Sequence, residues 1–304
     1  VIHLRGQLGS LGNSIIQRLL REAATIVLDG HHYQVAVDIF STELEFSKSQ
    51  IKSSEECKIC PGHRIVLFGF QDYVSIHDDV ELGIGVDGTE VILVTPSRDS
   101  VLVDISEIDS HITVHDMIPT ESVEPWENHF LNSILSSLLG ETDLQESAST
   151  KFLVAELDVA DAISRLLISN NPTPKLIPIS GRRGWGQRQI HQELEVLYNR
   201  TMAGQSGVFS TEDLTTPSIP KIELQSKQDA DVNTRPKLEE LHMALVNSGF
   251  EGWRPTIPIR TALMYFLIGK LTVGAIISQF IAKQLSTHLE SQEPRQNFSI
   301  WGPP

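Results

Sequence analysis

Apolar and polar positions follow two rhythms along the chain, and the rhythm changes near residue 125. Before that point the apolar residues come in short runs rich in β-branched side chains: "RIVLFGF" (64–70), "EVILVT" (90–95), "SVLVDI" (100–105) and "HITVHDMIP" (111–119). Each run is bounded by Gly, Pro, Asp or Ser, so each predicts one strand of a sheet buried on both faces. After Pro125 the period lengthens. Phe130, Leu131, Ile134, Leu135, Leu138 and Leu139 share one helical face that stops at Gly140. A second helix is predicted in "DVADAISRLLIS", with Asp158 at the N-cap ahead of Val159, Ala162, Ile163, Leu166 and Leu167, and "NNPTP" as its stop. "QRQIHQELEVLYNR" (187–200) predicts a third helix, and "PKLEELHMALVNSG" (236–249) a fourth that ends at Gly249. Residues 203–235, rich in Ser, Thr, Gly, Pro and Asp, read as a long polar connection, and no internal repeat is present.

The amino-terminal stretch adds chemistry to this pattern. "RGQLGSLGNS" lies between the strand-like "VIHL" and the amphipathic "IIQRLLREA", which places Gly6, Gly9 and Gly12 between a strand and a helix. A dinucleotide site needs that order. Glycine lets the backbone approach a pyrophosphate, and the helix N-terminus offers free N–H groups to the anion. A tight turn with no ligand uses the same spacing, so both readings stand. A dinucleotide reading also needs an acid for the ribose hydroxyls. Spacing points to Asp29, at the end of "ATIVLD". Pattern points to Asp38, because Gly30 would end a long first helix and "YQVAVD" would then be the second strand. Asp38 is preferred and Asp29 held in reserve; either also suits a solvated turn.

Composition narrows the classes. The chain has 304 residues, 40% hydrophobic and 21% charged, which is ordinary for one large or two smaller globular domains. Its formal net charge of −15 argues against a nucleic-acid partner, while a helix N-terminus can still hold an anionic cofactor locally. No charged region followed by a long apolar core opens the sequence, so an intracellular protein is expected. The two cysteines, Cys57 and Cys60 in "CKIC", exclude a disulfide framework. With His63 they remain one ligand short of a tetrahedral zinc site, so they read as a loop dithiol and no metal is expected.

Five collinear segments then resemble one family. "GQLGSLGNSIIQRLL" with "GHHYQVAVDIFSTE", "FLNSILSSLLGETDL", "FLVAELDVADAISRLL", "IPISGRRGWGQRQIHQELEVL" and "GFEGWRPTIPIRTALMYFL" are similar, in order, to the extended short-chain dehydrogenases/reductases, the NAD-dependent epimerases and dehydratases. The resemblance covers most of residues 1–267. It implies a Rossmann-like, doubly wound parallel sheet with a smaller C-terminal substrate lobe, binding NAD or NADP and a nucleotide-sugar. On that basis residues 1–125 form a shortened dinucleotide-binding core, 126–267 the remaining core helices and substrate lobe, and 268–304 an apolar helix and polar tail.

The resemblance also implies a catalytic Tyr-x-x-x-Lys helix preceded by a Ser or Thr, and here the chain departs from the family. Its tyrosines are Tyr33, Tyr73, Tyr198 and Tyr265, and none has a lysine four positions later. The nearest imitation is Tyr73 with His77, and the stretch that should carry the pair is shortened. "VILVTPSRDS" would supply Thr95, Ser97 or Ser100 as a remnant of the family's hydroxyl. A phenol near its ordinary pKa of about 10 is a poor base at neutral pH, whereas an imidazole such as His77 titrates in range. "HDMIPTESVEPWENHF" occupies the place of a substrate-lining loop and gathers His115, Asp116, Glu121, Glu124, Trp126 and His129. "SGRRGWGQ" adds Arg182 and Arg183, suited to a diphosphate, and Trp185, suited to stacking on a base.

The last apolar stretch, "ALMYFLIGKLTVGAIISQFIA" (262–282), is broken by Lys270, which favours a core or interface helix over a bilayer span. Val273, Ile276, Ile277, Phe280 and Ile281 would give residues 271–285 an apolar face for self-association or another protein. The expected function is dinucleotide binding without the usual hydride cycle, with NAD favoured because a carboxylate at Asp38 would repel a 2′-phosphate. Two alternatives remain: a nucleotide-sugar enzyme with rebuilt acid–base residues, and a structural accessory subunit like the Rossmann-type subunit of respiratory complex I.

Overall fold

The structure, a computed structural model, describes residues 1–69, 86–97, 108–121, 123–143, 149–207 and 235–271. Seven strands form one parallel sheet: β1 (Ile2–Gly6), β2 (Thr25–Leu28), β3 (Gln50–Ser53), β4 (Arg64–Phe68), β5 (Glu90–Pro96), β6 (Ser110–Val114) and β9 (Leu176–Ile179). Their spatial order is β3-β2-β1-β4-β5-β6-β9. The chain runs outward from β1 to β3, returns to the other side of β1, and runs outward again. The direction therefore reverses between β1 and β4, where a doubly wound sheet leaves a crevice beyond its strand ends. Two short strands, β7 (Met117–Ile118) and β8 (Val154–Ala155), pair in parallel outside this sheet.

The helices are α1 (Gly9–Leu20), α2 (Gly30–Ile39), α3 (Ser41–Phe46), α4 (His129–Leu138), α5 (Glu156–Ile168), α6 (Gln187–Ser206), α7 (Glu239–Asn247) and α8 (residues 259–271). Helices α1 and α5 pack on one another and on the same sheet face, through Leu11, Ile15, Val159 and Ile163 against Leu4, Phe68 and Val94. Ile65, Leu67, Val91 and Leu93 form a smaller core on the opposite face. A third apolar cluster joins β7, β8, α4, α6 and α8 around Ile118, Leu131, Leu194, Leu263 and Phe266, which is the core of the smaller lobe.

The structure corrects several sequence-based expectations. The first helix ends at Leu20, and "ATIVL" supplies the second strand, its Ile26 and Val27 buried between β1 and β3. "YQVAVD" is part of α2, not a strand. Only Ala36 of that helix is buried and Val35 is 39% exposed, so its alternation lies on a solvent-washed surface. Asp38 is therefore an exposed helical residue, away from any strand end. Asp29 stands directly after β2 and caps α2, accepting the His32 N–H at 3.2 Å and meeting His32 Nδ1 at 2.7 Å.

"HITVHDMIP" is two strands, divided where Asp116 takes a left-handed φ of 48°. Asp158 is not the N-cap of α5, which begins two residues earlier with Ala155 at the cap. Its carboxylate turns outward to accept Thr256 N–H at 2.8 Å, Thr256 Oγ1–H at 3.0 Å and Ile257 N–H at 3.1 Å, which holds the chain leading into α8. Burial pushes the Asp158 carboxyl above its usual range, and these donors oppose the shift. The expected strand at 100–105, most of the 203–235 connection and the chain beyond residue 271 lie outside the described residues. Among those described, no helix is long and apolar enough to cross a membrane.

Candidate functional site

The β1–α1 turn sits at the reversal point. Gly6 and Gly9 both take left-handed φ values, 86° and 55°, which side chains with a Cβ rarely adopt. Gly12 lies inside α1, where a Cβ would come within 2.4 Å of Leu8 Cβ. Two of the three glycines thus shape the turn, and the third makes room for the Leu8 side chain at the start of the helix. The N-terminus of α1 opens at this turn, and Asp29 stands at the end of the neighbouring strand.

The chain itself approaches this backbone. A Cβ on Gly9 would lie 3.1 Å from Trp126 Cδ1, and Trp126 Nε1–H donates to the Gln7 carbonyl at 2.8 Å. Gly69, directly after β4, has Pro125 against it, with Cγ only 2.5 Å from where a Cβ would stand. The Trp126 indole is 3% exposed and meets the Phe68 ring edge-on at 6.3 Å between centroids. Trp126, which sequence reasoning places on the substrate side, lies against the glycine turn and also lines the cavity described below.

Beside the turn, Glu156 is buried at 1% exposure and satisfied from four directions. It accepts Ser10 Oγ–H at 2.6 Å, Ser14 Oγ–H at 2.9 Å, Thr120 N–H at 2.9 Å and Thr120 Oγ1–H at 3.0 Å. A buried carboxylate is tolerated on such terms, and this one ties the first turn of α1 to α5 and to the segment after β7.

Beyond the ends of β5 and β6 lies an open cavity of about 350 Å³, lined by Ser97, Asp116, Trp126, Glu127, His129 and Lys151 among others. Asp116 anchors its floor, accepting Phe152 N–H at 2.8 Å and facing Lys151 Nζ at 3.5 Å. The Lys151 ammonium also lies over the Phe130 ring at 5.5 Å, and the Lys151 backbone pairs with Trp185. At the mouth, His129 faces Glu124 at 3.6 Å and Glu127 at 3.7 Å, and Lys270 Nζ comes within 3.4 Å of Glu127. Glu124, Glu127 and His129 converge closely enough to offer ligands to a cation, but two of the three are exposed, and Lys270 already meets the charge of Glu127.

The remaining sequence-based candidates scatter. Thr95 is buried in β5 and bonded to His111 Nε2 at 2.8 Å, whereas the exposed Ser97 reaches the cavity. His115 is held by its backbone N–H to Ile179 O, and burial lowers its imidazole pKa against the opposing pull of Asp116. Tyr73, His77 and Ser100 lie outside the described residues. Arg183 stacks on Trp185 at 4.2 Å, so that indole carries an arginine. Arg182 lines a separate hollow of about 360 Å³ with Arg235, Lys237 and His242. Sequence reasoning missed Glu156 and Lys151. Their one signal was a charged residue at each end of the apolar run "FLVA".

This arrangement defines a doubly wound Rossmann-type α/β protein with a crevice at the strand-order reversal and a smaller lobe beyond it. No family model matches the chain, and no curated protein matches it in sequence. Solved structures do resemble it. The Bordetella bronchiseptica enzyme WbmF in complex with NAD+ and UDP aligns at a TM-score of 0.54 and 11% identity, over 94% of this chain and 96% of that one. The same enzyme with NADH gives a TM-score of 0.53 at 12% identity, with the same coverage. Vestitone reductase from alfalfa (Medicago sativa) gives 0.50 at 12% identity, over 90% of this chain and 98% of that one. At 11–12% identity the likeness is one of fold: the chain shares the doubly wound, Rossmann-type architecture of these proteins, as the sequence resemblance implied.

Proposed function

We propose that this chain binds NAD in its Rossmann crevice and does not run a Tyr/Lys hydride cycle. The observation that carries the reading is the pair of left-handed glycines at the β1–α1 turn with Asp29 at the end of the adjacent strand. The α1 N-terminus would face the pyrophosphate and Asp29 would accept the adenosine ribose hydroxyls, repelling a 2′-phosphate. WbmF, whose fold the chain shares, is solved with NAD+ and with NADH, which supports a dinucleotide as the ligand. The adenosine side of the crevice fits this ligand, whereas the approach to Gly9 is taken by Trp126, so no chemical step is derived through the nicotinamide.

The cavity beyond β5 and β6 is the place for a second ligand. Lys151 suits the diphosphate of a nucleotide-sugar, in keeping with the UDP held by WbmF. The case against hydride transfer is chemical: no tyrosine has the lysine that would lower its pKa.

Calorimetry with NAD and NADP tests the reading. Wild type should bind NAD more tightly. Asp29→Asn keeps an oxygen to cap α2 but removes the charge, and should erase about tenfold of the preference for NAD over NADP. Failure of wild type to bind either dinucleotide at millimolar concentration would overturn it.

A further inference from the structure

We propose that Cys57, Cys60, His63 and His3 form a structural zinc site, with two thiolates and one imidazole from the loop before β4 and the second imidazole from β1. The site is independent of the dinucleotide reading, because it lies toward the N-terminal ends of β1 and β4, away from the crevice.

The spacing Cys-x-x-Cys-x-x-His supplies three zinc ligands and lacks a fourth. The fold brings one from 60 positions away. β1 and β4 pair in parallel with His3 beside Ile65, two residues past His63. His3 Nε2 thereby stands 3.0 Å from His63 Nδ1, with the ring centroids 5.2 Å apart. Two nitrogens bound to one tetrahedral zinc are about 3.3 Å apart, so the pair is within a few tenths of an ångström of that separation. A hydrogen bond between the rings is by itself a poor reason to bury His3. The residue is 1% exposed, and its other ring nitrogen, Nδ1, is buried with no partner.

The loop presents its ligands at the same place. Cys60, Pro61, Gly62 and His63 make a tight turn, closed by His63 N–H to Cys60 O at 3.1 Å, with Gly62 at a left-handed φ of 82°. The turn sets Cys60 beside the His63 ring, and Cys60 N–H donates to His63 Nδ1 at 3.3 Å. Gly62 N–H to Gly88 O at 2.9 Å and Glu90 N–H to His63 O at 3.1 Å fix the turn to the sheet. Ile59, between the two cysteines, packs on the small core of Ile65, Leu67 and Val91. Zinc must still draw in the sulfurs. Cys60 is exposed with Sγ 3.6 Å from Lys58 O, Cys57 is half-buried, and neither belongs to an apolar cluster, so both can turn without unpacking the core. Two thiolates with two imidazoles select zinc over magnesium or calcium. Four protein ligands leave no open position, so the metal would cross-link β1 to the loop and do no chemistry.

Cobalt(II), a visible probe for zinc sites, tests this on the whole chain under reducing conditions. One equivalent should give the bands of tetrahedral cobalt and a thiolate-to-cobalt charge-transfer band, and zinc should displace both. X-ray absorption of the zinc form should count two sulfurs and two nitrogens. Losing a group that merely supports a ligand costs about 10–100-fold in affinity, so Cys60→Ser and His63→Gln should each weaken metal binding by more than about 100-fold. His3→Gln should do the same, and His63→Gln carries the comparison if that variant does not fold. Zinc should also raise the melting temperature of wild type and leave that of the variants unchanged. A cobalt spectrum without the charge-transfer band, as Glu124, Glu127 and His129 would give, overturns the proposal. Thiolate-bound cobalt that survives the histidine substitutions, or no binding at micromolar metal, overturns it as well.

Discussion

Single side chains set the acid sensitivity of this protein. His3, in β1, is 1% exposed, its Nε2 lies 3.0 Å from His63 Nδ1, and burial together with the neighbouring His63 and Arg5 holds its pKa at about 4. Burial lowers His63 and His111 as well. A folded pKa below the unfolded value near 6.5 means that the unfolded chain binds more protons between the two. The stability from keeping His3 neutral is therefore complete above about pH 6.5 and is lost as pH falls toward 4, by about 3 kcal/mol at most. Urea midpoints measured from pH 7 to 4.5 should fall across that window, and His3→Gln should flatten the fall. An unchanged slope in the variant would assign the effect elsewhere. Residues also show the limit of sequence reading. The spacing argument picked out Asp29 and the pattern argument Asp38, and only the first stands at a strand end. Alternation over six residues cannot distinguish a half-exposed helix from a strand.

Elements are joined here by a few polar ties as well as by apolar faces. Arg64, the first residue of β4, sends Nη1 to the carbonyls of Leu166 at 2.6 Å and Leu167 at 2.8 Å, Nη2 to Asn171 O at 2.7 Å, and Nε to Glu90 Oε2 at 2.7 Å. It thereby donates to the last carbonyls of α5, adding to the Ser169 N–H that Leu166 O already accepts, at the negative end of the helix dipole, while joining the starts of β4 and β5. Lysine cannot reproduce that fork. Arg64→Lys should cost about 2 kcal/mol in urea unfolding, and Arg64→Ala more, because buried carbonyls then lose their donors. A lysine variant as stable as wild type would show that charge alone suffices. Helices α4, α5, α6 and α7 were legible beforehand, since each keeps one apolar stripe over several turns. α2 was not, because it buries little, and the boundaries of α5 shifted because Asp158 serves a distant partner instead of its own helix end.

At the scale of the whole molecule, 39 acidic residues against 24 basic ones leave a net charge of −15, and self-repulsion opposes the compact state. Raising sodium chloride to about 0.5 M should therefore raise the melting temperature, since salt screens exposed charges more than partly buried pairs such as Arg64–Glu90. A lower melting temperature would mean that specific ion pairs outweigh the general repulsion. The sequence by itself determined the strand–turn–helix opening, most of the elements and the lack of a Tyr-x-x-x-Lys pair, because periodicity, turn chemistry and residue identity are local properties. Tertiary structure alone decided what meets what: Glu156 with Ser10 across 146 positions, Trp126 with Gln7 across 119, and Lys151 with Asp116 at the cavity floor. A glycine in a sequence says that something must come close to the backbone. Whether that neighbour is a phosphate or the chain's own indole depends on how distant segments pack, which no local pattern encodes.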